Sequence, residues 1–290
     1  MTGCSVPSIT GTPQQTVVVT EFVSTVTGAP PAQGGVEDQE AGRETIPVAP
    51  PAATEAPGDV PIDLDAVIGV ASGTAGVAVA AVGGGSDVQS SGSWQTGVAW
   101  STIKVPLAIA ATRIDPQSLE RASTAITVSD NQAAENLWNS LGGGTAAASA
   151  VGVVLTEGGD YISQVPSVRT RVGYSIFGQT LWSLIDQARF GSRLPCLGSA
   201  APVVNLMGQV SPDQSWGLGR IPGSRFKGGW GPGESGGYLV RQFGTVPAAG
   251  GELAVAVAVE SASFEEGVRA LSGVADALAL RLPSIQGGRC

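Results

Sequence analysis

The segment Val105-Pro106-Leu107-Ala108-Ile109-Ala110-Ala111 is apolar on every face that a helix would present. Such a helix has no side to give to water, so it belongs at the centre of a layered fold. Ser101 and Lys104 stand just ahead of it. At 3.6 residues per turn they share a face, and the amine can lie beside the hydroxyl. The helix N-terminus adds unsatisfied N–H groups and partial positive charge, which favour negative charge developing near Ser101. Lysine usage points the same way. The chain has 15 Lys and Arg residues, of which only Lys104 and Lys227 are lysines. Arginine supplies the other positive charges, so these two positions are where an amine able to lose its proton is used.

Composition removes several kinds of chemistry. The sequence has no histidine, which excludes Ser-His-Asp and Cys-His catalysis and any zinc site built on imidazole. Three widely spaced cysteines cannot form a thiolate metal cluster. No metal and no cofactor are therefore expected. Gly231 to Gly236 fits G-x-G-x-x-G, but Pro232 and the extra glycines make it a turn with no helix behind it. A net charge of -9 argues against nucleic acid and anionic headgroups as partners. No apolar run approaches the length of a membrane-spanning helix.

Composition also divides the chain. Residues 1–58 open with Met1-Thr2-Gly3-Cys4, which reads as the tail of a bacterial lipobox whose apolar stretch would lie upstream. Cys4 is then the lipidated residue, and the protein is expected outside the cytoplasm, held to the membrane only by that lipid. The remainder, to Gly58, is rich in Pro, Thr, Ala and Gly, a linker composition with an end-to-end distance of roughly 40 Å. Within it, Thr16 to Val26 has strand composition. Residues 59–290 read as globular. Ile62–Ala71 is a predicted helix, Gly76–Gly83 a strand, and the glycines after it turn towards a second strand near Trp94–Val98. The Ser101 helix follows. Helices are then predicted from Asp115-Pro116 to Ile126, from Ser129-Asp130-Asn131 to Gly142, and from Thr180 to Phe190. Thereafter the period becomes two. Strands are predicted at Arg225–Trp230, Tyr238–Val246 and Leu253–Val259, before a closing helix announced by the capping box Ser263-Phe264-Glu265-Glu266. The fold class is α/β (α+β): an antiparallel sheet built from both chain ends, flanked by helices, with an all-helical insert.

Three triplets carry the chemistry: Ser101-x-x-Lys104, Ser129-Asp130-Asn131, and Lys227-Gly228-Gly229 on a late strand. Together, over roughly Asp59 to Leu282, they resemble the S-x-x-K, S-D-N and K-[TS]-G elements of class A β-lactamases and low-molecular-mass penicillin-binding proteins. That resemblance implies an acyl-serine mechanism. Ser101 would be the nucleophile and Lys104 its base. Ser129 would pass a proton to the leaving nitrogen, and Asn131 would hold a substrate amide. Asp130 would be structural. Lys227 would face the substrate carboxylate and depress the pKa of Lys104. The strand residues Gly228, Gly229 and Trp230 would line the substrate, with the Ser101 and Trp230 N–H groups forming an oxyanion hole. The implied ligand is a cell-wall peptide or a β-lactam-like small molecule, bound by a monomer. In an oxidising compartment with Cys4 lipidated, Cys196 and Cys290 are the remaining pair for a disulfide.

The departures are equally specific. Lys227-Gly228-Gly229 lacks the hydroxyl of Lys-[TS]-Gly. Ser101 and Ser129 stand closer together in sequence than in class A enzymes, so the helical subdomain is reduced. The deacylating glutamate of those enzymes has no counterpart: Glu135 lies on the S-D-N helix and Glu157 lacks the surrounding pattern, while Asp160 and Glu157 are the loop carboxylates within reach by sequence. The expectation is weak or no β-lactam hydrolysis. The alternative is a catalytically inactive module that binds peptidoglycan or an envelope protein in the same cleft.

Overall fold

A computed structural model of the chain describes residues 62–84, 87–233 and 236–290. Cys4, the linker and the Thr16–Val26 segment lie outside the described residues. Helix α1 (Leu64–Ile68) leads into strands β1 (Thr74–Ala81), β2 (Gln89–Gly92) and β3 (Thr96–Val98). A 3₁₀ turn (Trp100–Ile103) runs directly into α2 (Lys104–Ile114), and α3 (Leu119–Thr127), α4 (Asn131–Ser140) and α5 (Gly144–Glu157) follow. Strand β4 (Leu181–Ser183), α6 (Leu184–Arg193) and α7 (Ala201–Met207) precede β5 (Arg225–Pro232), β6 (Tyr238–Ala248), β7 (Gly251–Ser261) and α8 (Phe264–Ala279).

Five strands form one antiparallel sheet in the order β2-β1-β7-β6-β5. Both chain ends thus supply it, and β5 is an edge. The β7 sequence shows why it sits in the middle. Val255, Val257 and Val259 face α8, while Ala256 and Ala258 on the other side join the core shared with the helices. A strand buried on both faces needs apolar residues at every position, and alanines on one face let a helix approach closely. Gly191 of α6 lies against Ala254 there, its absent Cβ only 3.4 Å from the alanine methyl. Helix α2 is buried from Lys104 through Ala111, as its all-round apolarity requires.

Several boundaries differ from the sequence reading. The partner of β1 is β2, not the Trp94–Val98 stretch; Thr96–Val98 pairs instead with Leu181–Ser183 in a small second sheet. The polar Gln-Ser-Ser-Gly of β2 carries no apolar alternation because it is an edge strand with little to bury. The helix expected from Thr180 begins at Leu184, because Ser183 is its N-cap and accepts from the Asp186 N–H at 3.0 Å. Helices α5 and α7 escaped the reading. The former has no polar stripe and no capping side chain, since the N-cap is Gly143 at φ 61°. Cys196 and Cys290 form a disulfide with Cα atoms 5.2 Å apart, pinning the C-terminal residue beside the loop after α6.

Candidate active site

The site is a cleft between the start of α2, the turn into α4, and the edge strand β5. Each element is placed by a local constraint. The 3₁₀ turn holds Trp100 at φ 50°, a left-handed conformation that costs a residue with a Cβ of order 1–3 kcal/mol. Ser129 is held likewise at φ 57°. These two and no other non-glycine residue among those described have positive φ, and they flank or supply the serines of the site. Asp130 caps α4 by accepting from the Ala133 N–H at 2.6 Å.

Strand β5 runs hard against Ser101. A Cβ at Gly229 would lie 2.9 Å from the Ala99 carbonyl oxygen, 2.9 Å from the Ser101 nitrogen and 3.0 Å from the Thr102 nitrogen. At Gly231 it would enter the Trp100 ring, at 2.5 Å. Glycine at these alternate positions is what permits the strand to lie beside the 3₁₀ turn. Gly228 points the other way, where the Trp216 ring would stand 3.3 Å from an added Cβ. Trp216 belongs to the core packed against α8, so residue 228 faces that core and not Ser101.

The two lysines converge on the turn before α4. Lys104 Nζ donates to the Ser129 carbonyl at 2.6 Å and to Asn131 Oδ1 at 2.7 Å, with longer contacts to the Asp130 carbonyl and to Ser129 Oγ at 3.3 and 3.4 Å. Lys227 Nζ donates to Ser129 Oγ and to the Gly228 carbonyl, both at 2.9 Å. No hydrogen bond among the described residues joins Lys104 to Ser101. A buried amine seeks as many acceptors as it can reach, and the turn offers two carbonyls and an amide where Ser101 offers one hydroxyl. Burial lowers Lys104 to about 7, against smaller opposing effects of Asp130 and then Glu135. Lys227 is held well below the ordinary lysine range, first by its own burial and then by the nearby Lys104. Desolvation, rather than the charge of Lys227, is what loosens the Lys104 proton.

A cavity of about 540 Å³ opens over these groups, lined among others by Ser101, Ser129, Asn131, Glu135, Tyr174 and Trp230. Its far wall is a strap following α5. Arg171 lies 5.3 Å over the Trp100 ring and 5.0 Å over Tyr174, and its guanidinium donates to the Pro232 carbonyl at 3.4 Å. Gln179 holds the strap from inside, accepting from Thr170 and Arg171 and donating to the Arg171, Tyr174 and Ser175 carbonyls. Sequence reading missed Trp100, Arg171, Tyr174 and Gln179, for no local pattern marks a strap braced by one amide. The two loop carboxylates are elsewhere. Glu157 pairs with Arg113 at 2.6 Å, nine residues along α2 from Lys104 and so about 13 Å down its axis. Asp160 is buried, and one of its oxygens accepts from the Ile162 and Ser163 N–H groups.

No protein-family model matches the chain, and no curated protein does. Solved structures do. A β-lactamase from Sphaerobacter thermophilus superposes with TM-score 0.59 at 19% identity, over 78% of this chain and 100% of the other. A β-lactamase from Chitinophaga pinensis gives 0.60 at 15% identity, over 76% and 98%. The TLA-3 extended-spectrum β-lactamase gives 0.60 at 13% identity, over 76% and 96%. The shared feature is the backbone arrangement across nearly the whole of each of those chains, and the protein has the fold of the serine β-lactamases.

Proposed function

We propose that the protein is an extracytoplasmic serine acyl-transfer protein, acting on or binding cell-wall peptides or β-lactams and hydrolysing β-lactams weakly. The observation that carries this is the pair of buried lysines meeting at Ser129 beside Ser101. Burying two amines is costly unless the site uses their neutral form. In this reading Ser101 Oγ attacks the acyl carbonyl, and Lys104, able to be neutral near pH 7, takes its proton. Apo hydrogen bonds at such sites are commonly loose and tighten with substrate, consistent with the open Ser101–Lys104 contact. Ser129, bonded to Lys227 and Lys104, passes a proton to the departing nitrogen, so that the C–N bond breaks as an ester to Ser101 forms. The N–H groups of Ser101 and of Trp230 stabilise the oxyanion, a role supported by the close approach of β5 at Gly229. Asn131 and Trp230 line the substrate.

Weak hydrolysis is supported by two differences in the cleft. Gly228 supplies no strand hydroxyl for a carboxylate, and neither loop acid lines the cavity: Glu157 is paired with Arg113, and Asp160 is buried against the Ile162 and Ser163 N–H groups. Export with a lipid at Cys4 is part of the same proposal, supported by a disulfide of the kind that persists in oxidising compartments. Gel labelling with a fluorescent penicillin tests the acyl-serine reading. The wild-type band should fluoresce and Ser101→Ala should stay dark; equal labelling of both, or of neither, refutes it.

A further inference from the structure

The cavity contains a carboxylate that the acylation chemistry does not use. Glu135 follows Asn131 by one helical turn on α4, which places both on the face turned to the cleft. Among the described residues lining the cavity it is the one acid. It is half-buried and makes no hydrogen bond or ion pair there, unlike Asp130, Glu157 and Asp160, each of which is bound by backbone N–H groups or arginine. Its charge is felt at Lys104, so it lies near the proton-transfer groups as well as in the same cavity as Ser101. A carboxylate with free lone pairs, facing an open cavity of about 540 Å³ beside the serine, is suited to take a proton from water.

We propose that Glu135 is the general base for hydrolysis of the Ser101 acyl-ester, a role that rests on the acyl-serine reading above. A water in the cavity gives one proton to the Glu135 carboxylate as its oxygen bonds to the ester carbonyl carbon. The tetrahedral intermediate then collapses with cleavage of the C–Oγ bond. The proton held by Glu135 goes to Ser101 Oγ, directly or through Lys104, and the acyl group leaves as a carboxylic acid. One water is consumed and the enzyme is regenerated. The base sits on the helix of the second triplet rather than on the loop after it. A search of the sequence for a glutamate in a loop pattern passes over it.

The test is intact-mass spectrometry of the full chain during and after incubation with benzylpenicillin, comparing wild type, Glu135→Gln and Glu135→Asp. Thermal melts confirm that each variant is folded. The expected result is an adduct on Ser101 in every protein, forming at similar rates, with a lifetime about 10²-fold or more longer in Glu135→Gln. Glu135→Asp, which keeps the carboxylate but draws it back, should give an intermediate lifetime and reports even if the glutamine variant fails to fold. Adducts that form in all three and decay at one rate overturn the role of Glu135 while leaving acylation intact. Absence of any adduct from all three, with no penicillin consumed, overturns the acyl-serine reading and this role with it.

Discussion

Lys227 Nζ and Ser129 Oγ lie 2.9 Å apart, joining residues 98 positions distant in the sequence. The contact ties the edge strand to the turn before α4, and the same hydroxyl is the longest contact of Lys104. Ser129→Ala removes an acceptor from two buried amines while adding no bulk. It should lower the rate of acylation by about 10²-fold or more, as expected for a lost proton-transfer group. Stability should fall by about 1–3 kcal/mol. Labelling kinetics and urea melts measure the two separately, and an unchanged labelling rate would remove Ser129 from the chemistry.

Acylation should follow the deprotonation of Lys104. With its pKa lowered to about 7, the labelling rate should rise roughly tenfold per pH unit below that value and level off above it. Lys104→Arg should be inert over the same range, because guanidinium keeps its proton. A flat profile from pH 5 to 9 would mean that another group is the base.

The same lysine makes folding stability depend on pH. In the unfolded chain Lys104 keeps its proton up to about 10.5, while in the folded protein it releases it above about 7. Between those values the unfolded state binds more protons, so stability increases as pH rises through the window, by a few kcal/mol in all. Lys227, also lowered, acts in the same direction. Urea midpoints at pH 7 and 9 should differ for wild type, and the difference should shrink in Lys104→Met.

Two glycines should respond in opposite ways. Gly229→Ala puts a Cβ 2.9 Å from the Ser101 nitrogen and the Ala99 oxygen, so β5 must move off the 3₁₀ turn; labelling should be lost. Gly152 on α5 has nothing within 4 Å of its added Cβ, and Gly152→Ala should stabilise by roughly 0.5–1 kcal/mol without touching labelling. Thermal melts alongside labelling assays distinguish the cases.

Much of the architecture was legible because burial writes a period into the sequence. The valine–alanine alternation of β7 and the all-apolar α2 are plain in the sequence, and both sit where those patterns demand. The elements that were misread bury least or are set by tertiary contact. Strand β2 is a polar edge, and the start of α6 is fixed by the Ser183 cap. The triplets pointed to Ser101, Lys104, Ser129 and Lys227, which the fold brings together at one cleft. They did not announce the strap, where Gln179 collects bonds from residues up to nine positions away, nor Trp216 filling the side of Gly228. Such roles depend on which surfaces meet, and no short spacing encodes them.

The central claim is that Ser101 takes the acyl group. Intact-mass spectrometry of the wild-type protein with benzylpenicillin, followed by peptide mapping, tests it most directly. A single adduct whose mass equals that of the opened penicillin, located on the peptide containing Ser101 and absent from Ser101→Ala, is the predicted result. An adduct on another residue, or no adduct with the penicillin left intact, would contradict the account.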